Sequence, residues 1–151
     1  MALSSATIAT GISALSISGV TVKNVTAIPD QVTGRDCPIL FPSPDGWLTG
    51  GNGVPGPLTF GLPASRYWEF DRDYDYVFLF APVGTGRGLI DNISPMAAKL
   101  DLIMTAITLL DLPGVDVMQI NCTAFGVLVD PSGNSFHGCH VVITLKEAIN
   151  P

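Results

Sequence analysis

The chain is poor in charge, and poorest in positive charge. Only 13% of its 151 residues are charged, and the seven basic ones (Lys23, Arg35, Arg66, Arg72, Arg87, Lys99 and Lys146) are spread singly. No basic patch is available to grip a phosphate backbone or an anionic membrane, and the net charge of −6 points the same way. Cysteine is scarce too. Cys37, Cys122 and Cys139 are odd in number and lack a C-x-x-C spacing, which argues against a disulfide framework or a zinc site and predicts free, buried thiols. No apolar run is long enough to span a membrane, and the stretch MALSSATIATGISALSISG has no basic start, so neither a span nor a signal peptide is expected and synthesis in a cytosol follows.

Catalytic and ligand motifs are equally thin. His137 and His140 fall on opposite faces of one predicted strand and cannot jointly hold a metal there. Asp71, Asp73 and Asp75 have the spacing of a calcium loop without its glycine, because Tyr76 continues a strand where the loop must turn. The glycines of VGTGRGLI sit two apart with no Lys-Ser/Thr pair, which reads as a loop and not as a phosphate cradle. A row of carboxylates with no visible base, nucleophile or oxyanion donor does not make an active site. No catalytic, cofactor-binding or metal-ligating residue is proposed, and the chain is not expected to be an enzyme.

What the sequence does have is hydrophobicity, 47% of residues, and turn formers, with 16 glycines and 12 prolines. The length fits a single domain, 1–151, with a core of its own. So apolar a composition suggests that some apolar surface is covered by other subunits. The clearest element is YWEFDRDYDYVFLFA, residues 67–81. Its alternation puts Trp68, Phe70, Arg72, Tyr74, Tyr76, Phe78 and Phe80 on one face of a strand, and Glu69, Asp71, Asp73, Asp75, Val77 and Leu79 on the other. The aromatic row can anchor a core. The acidic row repels itself and needs water, cations or a basic partner.

Around it the chain reads as α+β: a mixed, mainly antiparallel sheet with a main helix and a short N-terminal helix packed on one face. Ser4 or Ser5 caps the short helix, which places Ile8, Ile12 and Leu15 together. Residues 20–28 alternate as a strand. Ser94 and Pro95 predict the start of the main helix, about 94–110, with Met96, Leu100, Ile103 and Ile107 along one stripe. Residues 115–129 and 135–145 read as a hairpin around the turn DPSGN, with KEAINP as a tail. In the first of these strands Val117, Gln119, Asn121, Thr123, Phe125, Val127 and Val129 are expected to share a face.

Between Phe41 and Tyr67 lies a Pro/Gly-rich excursion, an arm over 42–66, with five prolines and six glycines. A connection of this length is functional, or orders on a partner, or hides a hairpin with 58–62 as its second strand. Trp47, in its middle, either folds back onto the core or docks into a neighbour.

The order of elements, together with CPILFPSPDGW, YWEFDRDYDYVFLFA, a helix from Ser94 and the closing VDVMQINCTAFGVLVDPSGNSFHGCHVVITLKEA, resembles the tail terminator (tail completion) proteins of long-tailed bacteriophages. The resemblance implies a subunit that forms a hexameric ring on the last ring of the tail tube. Such a ring ends tube growth and meets the head connector, with DNA passing through unbound and no membrane involved. Its place would be the head-proximal end of the virion tail, after assembly in the host cytoplasm. Contacts would come from the arm and from the loop over 82–91, with Trp47, Asn52, Arg66 and Arg87 as candidates. Glu69, Asp71, Asp73 and Asp75 would face the channel. Two other readings stay open: another head–tail connector or tail-tube protein, and a cytosolic small-ligand module with a pocket of Trp68, Phe70, Tyr74 and Tyr76.

Overall fold

The computed structural model of the chain describes residues 5–51, 53–55, 68–84 and 88–149. Its axis is the strand Trp68–Pro82, fifth in a seven-stranded sheet and here β5. On one side β5 pairs antiparallel with β7 (Ser135–Ile149) from Trp68↔Ile149 to Pro82↔Phe136. β6 (Val115–Val129) lies beyond β7 as the hairpin partner. The other side of β5 is covered in pieces by β2 (Ile39–Pro42), β3 (Leu48–Thr49) and β4 (Gly53–Pro55), all antiparallel. A short β1 (Thr21–Val22) adds the sheet's parallel pair, on β2. With α1 (Ser5–Ser13) and α2 (Leu89–Thr108), the fold is α+β with a mixed, mainly antiparallel sheet.

The first part of the arm is thus an interrupted strand. After Pro42 the chain leaves the ladder and returns at Leu48, and both ends of this loop close on one residue. Ser43 N donates to Asp75 O at 2.9 Å, and Asp75 N donates to Trp47 O at 2.7 Å. Pro44, which cannot donate, and Gly46, at φ 71°, form the turn that this detour needs. A second slip precedes β4, where a side chain on Gly51 would overlap the Asp71 carbonyl oxygen. Residues 58–62, the expected second hairpin strand, lie outside the described residues.

Both helices cover the aromatic face. Ile8 and Ile12 of α1, and Met96, Leu100, Ile103 and Ile107 of α2, pack on Tyr74, Tyr76, Phe78, Val141 and Ile143 in one cluster. Tyr74, Tyr76 and Phe78 are fully buried. Burial of each such side chain is worth about 2–3 kcal/mol, which makes this row the main anchor of the sheet. The acidic row turns apolar at Val77 and Leu79, and these enter a second, smaller core with Val32, Ile39, Phe41 and Phe136.

Four boundaries differ from the sequence reading. The main helix starts at Leu89, with Pro95 inside it, because Asp91 accepts from Gly88 N and caps the chain a turn earlier. Asn92 and Met96, buried on the inner side, hold the helix across the proline. The strand expected over 20–28 shrinks to two residues. Asn24 accepts from Val25 N at 2.6 Å and diverts the backbone into a 3-10 turn. The supposed tail continues β7 to Ile149. Finally, β6 carries two register shifts, at Val117/Gln119 and Thr123/Gly126, and each extra residue switches the faces. Gln119, Asn121 and Thr123 share the acidic face, whereas Val117 and Val127 lie on the helix side opposite Leu145 and His137.

Candidate functional site

The acidic row lies on the sheet face opposite the helices, and β7 supplies its neighbours. Lys146 Nζ reaches Glu69 Oε2 at 3.1 Å, Thr144 Oγ1 donates to Asp73 Oδ1 at 2.7 Å, and His140 Nδ1 meets Asp75 Oδ1 at 2.9 Å. Asp71 is exposed and stands directly across from Lys146, with Asp116 of β6 on the far side of the same lysine. From Glu69 to Asp75 the row runs about 20 Å at ~3.4 Å per residue. Among the described residues, the strands β5, β7 and β6 therefore bring five carboxylates, one lysine and one histidine to this face. Gln119, Asn121 and Thr123 extend the polar surface across β6. The sheet itself spaces the acids, so their mutual repulsion is held by the backbone ladder and relieved by three cross-strand partners.

Where the row turns apolar, a cleft of about 390 Å³ opens. Phe41, Val77 and Leu128 line it, with Asp45, Asp130 and His140 among its polar groups. Because a carboxylate only accepts, Nδ1 of His140 is the donor in its bond to Asp75. Ser43, which also borders the cleft, donates its hydroxyl to Asp45 O at 2.8 Å. That bond leaves the serine unpaired with the histidine as a nucleophile would be.

Asp130 anchors the β6–β7 turn at the end of this face. It accepts from Val32 N at 2.8 Å, from Ser132 N and Oγ, and from Asn134 N at 2.8 Å. Burial alone would raise its pKa, but these bonds outweigh it and hold the carboxyl below the usual value of 3.8. One side chain thus shapes the hairpin turn and pins the 28–37 segment over the second core.

On the helix face the aromatic row carries one cation, Arg72. Its guanidinium pairs with both oxygens of Glu147, which is fully buried, and Tyr74 Oη donates to the same carboxylate at 3.1 Å. Burial first, and the negative charge of Glu147 second, push the Tyr74 phenol well above its ordinary value. Trp47 packs edge-on against Tyr74 with ring centroids 5.4 Å apart, so its ring folds back onto the core. Of the four residues of the aromatic pocket, Tyr74 and Tyr76 are fully buried under the chain's own elements, whereas Phe70 is half-buried and Trp68 is exposed.

Of the contact candidates, Asn52, Arg66 and Arg87 lie outside the described residues. His137 and His140 do fall on opposite faces: His137, buried on the helix side, pairs with Asn92 at 2.8 Å. Sequence reasoning missed Glu147. The signal was an arginine in an otherwise aromatic row, which needs a buried anion, and the continuing alternation Val141, Ile143, Leu145, Glu147. No protein-family model matches the chain, and no curated protein matches it significantly.

Proposed function

We propose that the chain is a structural virion protein of a long-tailed bacteriophage. In this reading it forms a ring, a hexamer, that caps the tail tube, ends tube polymerisation and joins the tail to the head connector. The observation that carries the proposal is the division of the sheet. One face is closed by both helices around Tyr74, Tyr76 and Phe78, while the other presents Glu69, Asp71, Asp73, Asp75 and Asp116 to the outside. A ring that turns this face inward would line its channel with negative charge and let DNA slide without adhesion. The sequence resemblance in element order adds the terminator role. Trp47 supports the core in this scheme.

The deciding experiment is electron microscopy of tails assembled without this protein. Tubes of uncontrolled length are the expected result. Normal tails left unattached to heads would instead favour a connector, and the absence of any tube would favour a tube subunit. Size measurement of the purified chain adds a second check, since a ring former appears as a hexamer or as a monomer that joins tubes.

A further inference from the structure

β6 is the outer edge of the sheet. Its 15 residues pair with β7 on one side, and among the described residues no strand pairs with them on the other. Such an edge presents a row of unpaired backbone amides and carbonyls, which proteins ordinarily guard with lysine, proline, a very short strand or a bulge. β6 is long and holds neither lysine nor proline. Its single charge is Asp116, near one end, while Met118, Phe125, Val127 and Val129 are all about half exposed or more.

The bulges are the one guard present, and their placement suits one partner. Each of the two register shifts, between Val117 and Gln119 and between Thr123 and Gly126, adds one residue to β6. Between them lies a regular run of five, 119–123, with Asn121 at its centre. A straight strand would be thrown out of step at both shifts. A second β6 running antiparallel about a two-fold axis at Asn121 sets bulge against bulge, so the added residues match. Around that axis Gln119 stands opposite Thr123 on the acidic face, and Ile120 opposite Cys122 on the helix face, so every pair keeps its side. Asn121 meets its own copy, and because a carboxamide both donates and accepts, the two are complementary.

Charge and size agree with this direction. Antiparallel pairing carries the two Asp116 carboxylates to opposite ends, each across from Gly126, whereas a parallel pair would set them side by side. Val127 falls across from Val115, and Phe125 across from Val117. The overlap, 115–127, runs roughly 44 Å, and with a sheet about 10 Å thick it covers roughly 900 Å² over both copies. That is close to the ~1,000 Å² of a specific interface before side chains that reach across are counted.

We propose that β6 is a self-association surface, occupied by β6 of a second copy of this chain, antiparallel about a two-fold axis at Asn121. The two sheets join into one, and four strands separate the acidic rows of the two β5 strands. This inference does not rest on the tail reading. An isologous contact closes at two copies, and three such pairs also make an assembly of six.

The test uses the full chain carrying Asn121→Cys. Cα atoms directly opposite in an antiparallel pair lie about 4.5–5.5 Å apart, within the span of a disulfide. Mild oxidation should therefore join two chains, and peptide mapping without reduction should find the two introduced thiols linked to each other. Asp116→Cys, whose two positions lie roughly 34 Å apart in the pair, should stay unlinked under the same conditions. Asn121→Lys sets like charges opposite each other at an exposed position, and should weaken self-association at least about fivefold in sedimentation equilibrium. A wild-type chain that stays monomeric at high micromolar concentration overturns the proposal, and this reading decides the matter even if a variant fails to fold. Equal linking at positions 116 and 121 overturns it as well. A wild-type hexamer whose Asn121→Cys variant does not link would keep the ring and remove the β6 pairing.

Discussion

Arg72 and Glu147 meet on the helix face of the β5–β7 ladder, where the carboxylate is fully buried and the guanidinium binds both of its oxygens. Removing the cation alone strands a charge away from water. Arg72→Met is expected to cost about 3 kcal/mol of folding stability, and Glu147→Gln less, because the amide keeps an acceptor for Tyr74 and Arg72. Urea denaturation of the two variants and of the double variant measures this. A loss below about 1 kcal/mol in Arg72→Met would show that Glu147 finds water or another partner.

Asp130 should give the fold an acid limb. Its folded pKa lies below the unfolded value near 3.8, so its contribution is complete above that pH and is lost as pH falls through the folded value. Asp130→Asn is expected to flatten the stability profile below about pH 4, and Asp130→Ala to lose about 2 kcal/mol at neutral pH, with the Val32, Ser132 and Asn134 amides left unpaired. Thermal melts between pH 2 and pH 7 separate the two effects. An unchanged acid limb in Asp130→Asn would move the responsibility to other carboxylates.

Gly138 marks a place where β7 tolerates no side chain. A Cβ there would lie 2.0 Å from the Phe78 carbonyl oxygen, next to the register shift between Leu79 and Ala81. Gly138→Ala should destabilise the fold by about 2–3 kcal/mol, although alanine is favoured over glycine on propensity alone. The midpoint of denaturation is the readout, and wild-type stability would mean that the two strands part easily.

The acidic row carries the functional prediction. Replacing Glu69, Asp71, Asp73 and Asp75 together with Gln and Asn keeps an acceptor for Thr144 and His140 while removing four charges. Particles carrying this variant should assemble and then eject DNA several-fold more slowly, if the row lines the channel. Ejection followed by dye uptake provides the measurement. Normal kinetics from well-formed particles would place the row on an outer surface.

The strands were legible where alternation is strict. Trp68 to Phe80 announces a two-faced strand, and β6 begins and ends at the residues that the pattern marks. Legibility failed where one residue outweighs a pattern. Asn24 ends a strand by bonding its neighbour's amide, Asp91 starts a helix early, and two bulges in β6 invert the faces without any sequence mark except Gly126, at φ 154°. The acidic row could be read in full, but its partners could not, because Lys146, Thr144 and His140 sit some seventy positions away and only the β5–β7 register brings them across.

The segmented cover of β5 has a kinetic consequence. β2 holds the upper part of the strand with four paired residues backed by two cores, whereas β3 and β4 hold the lower part with two and three residues. Local opening should therefore begin at the Trp68 end and unzip toward Leu79, so amide hydrogen exchange along that edge should slow progressively in the same direction. The strand that organises the sheet is thus gripped on this edge most firmly by β2 and least by β3 and β4.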